Sequence, residues 1–249
     1  MSRRIVFWVL GSIALLAVPA GVALAQSVSI DLGQTGQSGA TARLVQLTAL
    51  IGLLSLAPSL LVMATAFARI VIVLSLLRSA IGAPGIPPNP VLVGLALFLT
   101  FFVMQPVFEA SWTQGIVPMT EGRISELDGL AAAAQPFRMF MVANIREDDL
   151  ILFMDLGGIQ AVTDPAQTPW RALIPAFIVG ELKRAFEIGF LLFLPFLVID
   201  MVIASILMSL GMMMLPPSVV GLPFKLIFFV LVDGWRLVSG SLVQGFNLN

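Results

Sequence analysis

The apolar residues of this chain are gathered into long runs, and two of those runs carry isolated charges in their interiors. Leu44 to Ala68 and Val91 to Phe108 hold no charge, whereas a third run from Ala185 to Leu215 contains Asp200, and a fourth from Val219 to about Phe246 contains Lys225, Asp233 and Arg236. A helix needs about 20 apolar residues to cross a hydrocarbon core of about 30 Å. One unpaired charge at that depth costs at least about 2.5 to 3.5 kcal/mol on insertion scales. The first two runs can lie against lipid; the third and fourth predict helices that pack against protein. Of the 249 residues 59% are hydrophobic and 11% charged, with a mean hydropathy of +1.03, outside the range of water-soluble domains. A single domain is expected, its core shared with a bilayer or with partner subunits.

The same composition removes several functions. A net charge of −1 leaves no basic stripe for a phosphate backbone, so no nucleic-acid binding is expected. Cys, His and Tyr are absent, which removes thiolate nucleophiles, disulfides, imidazole bases and the usual zinc ligands. A Ser–Lys pair would have to use Lys183 or Lys225, the two lysines of the chain, and neither stands beside a nucleophile motif. No Gly-rich phosphate loop is present. No catalytic residue, cofactor or metal site is expected, and the chain reads as a non-enzyme.

Residues 1–25 read as a cleaved signal peptide: Arg3 and Arg4, an apolar stretch from Ile5 to Val18, then Ala23-Leu24-Ala25 before Gln26. The competing reading keeps this stretch as a first membrane helix. Residues 26–43, rich in Gly, Ser, Thr and Gln, read as a flexible extracytoplasmic arm. Residues 44–110 read as a first helical hairpin, kinked or divided at Pro58, interrupted at Arg69, and turned by the breaker-rich loop from Gly82 to Pro90. Residues 111–171 read as an extracytoplasmic helical region with two amphipathic helices, Phe137 to Ile145 and Leu150 to Leu156. Pro136 suits the first turn of one; Glu147, Asp148 and Asp149 suit the start of the other, which Gly157 and Gly158 end. Residues 172–249 read as a second hydrophobic hairpin.

Within a helix, Lys183 can meet Glu187 four residues on, and Asp233 can meet Arg236 three residues on. Arg69, Asp200 and Lys225 lack such neighbours, so they either pair with one another inside the monomer or pair across subunits. The mainly acidic region 111–171 belongs outside the cytoplasm. Lys183 and Arg184 would then lie at the outer end of the third run, against the positive-inside rule, which suggests a helix not inserted conventionally. Gly211-Met212-Met213-Met214-Leu215-Pro216-Pro217 sets three flexible thioethers between two apolar helices. They could fill an irregular gap or line a deformable constriction; on chemistry alone core packing is the commoner use of Met.

The stretch Phe67-Ala68-Arg69-Ile70-Val71-Ile72-Val73-Leu74-Ser75-Leu76-Leu77-Arg78 is followed by Pro87-Pro88-Asn89 and the run Val91 to Thr100. Glu181-Leu182-Lys183-Arg184-Ala185-Phe186, Ile188-Gly189-Phe190 and Leu194-Pro195-Phe196-Leu197-Val198-Ile199-Asp200 come next. The series closes with Gly211-Met212-Met213-Met214 and Leu222-Pro223-Phe224-Lys225-Leu226 leading to Gly234-Trp235. In these segments, which cover most of Phe67 to Trp235, the sequence resembles the FliP family of flagellar type III export-gate proteins and their injectisome counterparts, the SctR proteins. The arm and residues 111–135 match poorly, and Gly180 stands where the family pattern has Ser.

The resemblance implies an all-α, polytopic membrane protein of long helical hairpins, assembled into a conical homo-oligomeric ring, a pentamer, raised largely above the bilayer plane. It implies FliQ-like and FliR-like gate subunits and FlhB-like and FlhA-like export components as partners. The location it implies is the bacterial inner membrane within the flagellar basal body, with much of the chain on the periplasmic side. In that reading the ring is the entry pore for unfolded export substrates, and Met212, Met213 and Met214 form a gasket that seals it. Arg69, Glu181, Lys183, Arg184, Glu187, Asp200 and Lys225 become buried or inter-subunit charge pairs. A scaffold without a place in the pore, or a small-solute transporter, are the alternatives; the chain shows no internal repeat of the kind a midplane transporter site needs.

Overall fold

The computed structural model of the chain describes residues 62–83, 85–159, 167–212 and 214–246, with positions 45, 47, 48, 51, 52, 55 and 59. The expected signal peptide, the arm and most of the first apolar run lie outside the described residues. Residues 1–53 and 54–249 form two compact units; the described positions 45, 47, 48, 51 and 52 of the first are helical. The described part of the second is helical and holds no strand.

Its elements are α1 (Phe67–Ile81), α2 (Asn89–Ser111), which runs through a π turn (Trp112–Ile116) into α3 (Val117–Thr120), then α4 (Glu126–Asn144), α5 (Glu147–Leu156), α6 (Trp170–Ser209), α7 (Pro217–Leu231) and α8 (Gly234–Gln244). Two stretches, Asn89–Thr120 and Trp170–Ser209, are long and apolar enough to cross a membrane, and α7 with α8 makes a third if that bent pair counts as one span. The expected all-α class of helical membrane protein is what the chain adopts.

Arg69 does not interrupt the first hairpin, as its charge suggested. It belongs to the buried stripe of α1, which continues through Ile70, Val73, Leu74, Leu77 and Ile81 at helical spacing. α1 stops at Gly82, whose φ of 77° is left-handed and whose N–H donates to the Arg78 carbonyl, a cap that favours glycine. Arg78 closes the following loop by donating to Asn89 Oδ1 at 2.5 Å.

The polar region holds longer helices than its apolar pieces indicated. α4 begins at Glu126, well before Phe137, and Pro136 lies inside it and not in its first turn. The physical reason is a cap: Ser125 Oγ accepts from the Asp128 N–H, and Glu126 and Asp128 put negative charge at the positive end. α5 has Glu147, Asp148 and Asp149 in its first turn and Gly157 after its last, as expected. The π turn and α4 approach closely at Gly115, where an added Cβ would stand 2.5 Å from the Ala133 backbone nitrogen and 2.6 Å from its Cα. Neither backbone can yield without moving a helix. Gly115→Ala is therefore expected to destabilise the protein by about 1–3 kcal/mol, the usual range for overpacking; an unchanged unfolding midpoint would contradict this close approach.

α6 starts at Trp170, so Lys183 and Arg184 lie inside a 40-residue helix and not at the outer end of a block starting at Ala185. The reason is its first half: Ala172, Leu173, Ala176, Phe177, Gly180, Glu181, Ala185 and Gly189 are buried, at a helical spacing, by α1 together with α4 and α5. Small residues bring the helices together, and at Gly189 an added Cβ would fall 2.2 Å from Leu76 Cδ1. The second half buries Phe196, Ile203 and Leu207 and leaves Phe190, Leu191, Val198 and Met201 exposed.

The fourth run is two helices. Asp233, at φ 53°, breaks it with a bend of 63°, and Gly234 lies so close to the Phe229 ring that an added Cβ would sit 2.2 Å from it. α7 returns along α6 with Gly221, Lys225 and Phe229 inward, each four residues from the next.

Candidate functional site

The first turn of α1 directs Arg69 into the core, where it and Glu181 are each 1% exposed. Arg69 Nε donates to Glu181 Oε2 at 2.7 Å and Nη2 donates to Glu181 Oε1, a two-pronged pairing that the planar guanidinium suits. Nη1 donates to the Gly245 carbonyl at 2.7 Å, and the guanidinium lies 3.7 Å from the centre of the Phe246 ring. Arg69 therefore pairs with Glu181, not with Asp200 or Lys225. Phe177, Glu181 and Ala185 fall four apart on the buried stripe of α6, so spacing marks Glu181 as inward-facing without naming its partner.

Lys225 and Asp200 do meet within the chain. Lys225 Nζ donates to Asp200 Oδ2 at 2.5 Å and to the Ala80 carbonyl at 3.2 Å. That carbonyl belongs to the last turn of α1, where unpaired acceptors and the helix dipole favour a cation. Lys225 is 4% exposed; the Asp200 side chain is 35% exposed, and its Oδ1, although itself covered, accepts no hydrogen bond among the described residues. Gly221 makes room for this carboxylate, since an added Cβ there would stand 2.9 Å from Oδ1.

The remaining charges lie outside the core. Lys183 and Glu187 are exposed and Arg184 is half-buried. Glu187 Oε1 faces Arg146 Nη1 at 3.7 Å and not Lys183, because Arg146, in the turn before α5, also leans toward Asp149, with Nε 3.8 Å from Oδ2. Asp233 and Arg236 meet at 3.9 Å on the surface.

The core-packing reading of the methionines does not hold for the described ones. Met212 is 43% and Met214 97% exposed; Met213 lies outside the described residues. Gly211, at φ 72°, ends α6 with paired bonds, its N–H to the Met208 carbonyl at 3.1 Å and the Met212 N–H to the Leu207 carbonyl at 2.9 Å, a glycine-terminated cap. Pro216 then precedes α7. Cap and proline place Met212 and Met214 between the two helices with their side chains uncovered. Among the described residues no group of three His, Cys, Asp or Glu could hold a metal ion.

Hairpins of long apolar helices, cross-braced by one buried and one half-buried ion pair, define a polytopic α-helical membrane protein. The sequence model of the FliP family matches residues 50–242, and the chain belongs to that family. It is 54% identical over 246 residues to the flagellar biosynthetic protein FliP of Caulobacter vibrioides, covering 99% of this chain and 92% of that one. It is 47% identical to the Rhizobium meliloti protein of the same name, over 94% of this chain and 96% of the relative. Identity to the Bacillus subtilis FliP is also 47%, over 81% and 91%.

Proposed function

We propose that this chain is a flagellar export component of the bacterial inner membrane and a channel-forming subunit of the export gate, with Met212, Met213 and Met214 as the seal of its pore. The observation that carries this reading is the exposure of Met212 and Met214, which follow the Gly211 cap at the end of a helix whose second half leaves Phe190, Leu191, Val198 and Met201 uncovered. Relatives of about half-identical sequence bear flagellar names, which favours the flagellar over the injectisome system. Unbranched thioethers repack at small cost, so a ring of them can close against ions yet yield to chains of any sequence. The uncovered apolar faces of α2 and α6, with the outward Lys183, Arg184 and Glu187, suit contact with neighbouring copies in a pentamer and with FliQ-like and FliR-like subunits. FlhB-like and FlhA-like components would deliver the unfolded substrates. A signal peptide over residues 1–25 and a periplasmic region over 111–171 complete this reading.

Replacing Met212, Met213 and Met214 together by Ala is expected to let small solutes leak through the cell membrane while flagellar export largely persists. Permeability equal to that of the parent strain, with the complex assembled, would remove the methionines from the seal.

A further inference from the structure

Arg69 is held by more than Glu181. A guanidinium presents five N–H donors and two flat faces, and the carboxylate of Glu181 satisfies the edge formed by Nε and Nη2. At 1% exposure the remainder has no water to turn to. It is met by the turn after α8: the Gly245 carbonyl accepts from Nη1 at 2.7 Å, and the Phe246 ring covers a face with its centre 3.7 Å from Cζ. Both residues follow Gln244, the last residue of α8. The extra turn is wound by backbone bonds from the Gly245 N–H to Ser241 O and from the Phe246 N–H to Val243 O. Phe246 is 5% exposed and stacks on Phe140 of α4 with centroids 6.0 Å apart; Phe140 in turn meets Phe177 of α6 edge-on at 5.9 Å. One aromatic side chain thus joins the buried pair, α4 and α6.

We infer that Gly245 and Phe246 form a latch, which completes the burial of the Arg69–Glu181 pair only when the turn after α8 docks. A buried donor left without an acceptor carries its full desolvation cost, and a buried charge more so. The α1–α6 contact therefore remains incomplete until the turn at Gly245 and Phe246 is folded against it. Closure of the helical core depends on this turn, and a chain cut short of Gly245 holds an incompletely solvated cation at its centre.

The test is a coupling measurement on the full chain purified in detergent. A stop after Gln244, Phe246→Ala and Phe246→Leu are each placed in the native background and in one carrying Arg69→Met with Glu181→Met. Unfolding midpoints are read by tryptophan fluorescence at one scan rate. In the native background the stop is expected to lower the midpoint by about 5 °C or more. In the Met/Met background, where no cation awaits the latch, the shift is expected to be less than half as large. Equal shifts in the two backgrounds, or no shift in the native one, would overturn the latch. If the shortened native chain fails to accumulate, the latch requires that the shortened Met/Met chain accumulate; loss of both would also overturn it. Should the Met/Met protein itself not accumulate, Phe246→Leu decides, because leucine keeps apolar bulk and removes the ring face. A midpoint unchanged by that substitution rejects the ring's part in the latch.

Discussion

Glu181→Lys is expected to abolish accumulation of the folded protein, read as its yield in the membrane fraction and as complex on a native gel. Glu181 and Arg69 are each 1% exposed, so the variant sets two cations against each other with no solvent to screen them. Removing one partner of a buried pair costs about 3–5 kcal/mol, mainly by stranding the other charge. That is a large share of a total stability of about 5–15 kcal/mol, and reversal adds repulsion to loss. Glu181→Gln keeps a hydrogen-bond acceptor for Arg69 and is expected to be milder. Arg69→Met combined with Glu181→Met is expected to recover part of the yield, because apolar residues of similar volume often replace a buried pair with little loss. Parental yield from Glu181→Lys alone would mean that the helices do not meet at this pair.

The second large effect is expected at Lys225. Lys225→Glu directs a carboxylate toward Asp200 and toward the Ala80 carbonyl, both acceptors, at a site 4% exposed. A loss of about 3–5 kcal/mol is again expected, seen as lower membrane yield and weaker assembly. Asp200→Asn should cost less, on the order of 1 kcal/mol, because that side chain is 35% exposed and its charge is partly screened. The order of the two variants in thermal midpoint is the measurement. If Asp200→Asn proved as damaging as Lys225→Glu, the Lys225 ammonium would depend on its carboxylate far more than on the end of α1.

The helical class was legible because long apolar runs allow few alternatives. The acidic start of α5 and its glycine stop were legible for the same reason that they work, since each satisfies a helix end. Other features hid behind a charge count. Arg69 looked like a break in a span, yet its neighbours Ile70, Val73 and Leu74 share its face, so the charge lay within the buried stripe all along. The start of α6 was concealed by Arg171, Glu181, Lys183 and Arg184, although the small residues between them already traced a helix face. Pro136 misled as a start signal because the Ser125 cap, two turns and more upstream, outweighs it. The Arg69–Glu181 pairing joins residues 112 apart in sequence, and no local spacing reports such a distance. For Met212 and Met214, residue chemistry pointed inward, and both follow the stop at Gly211 with their side chains exposed.

The 40 residues of α6 span about 60 Å at 1.5 Å per residue, roughly twice the thickness of a hydrocarbon core. No tilt of ordinary size hides such a rod in a bilayer. Its charged opening half, from Trp170 to Glu187, has to stand clear of the acyl chains whenever its apolar closing half enters them. With the closing half in lipid, α6 would be a pillar that holds the Arg69–Glu181 junction clear of the acyl chains and leaves Met212 and Met214 at its opposite foot.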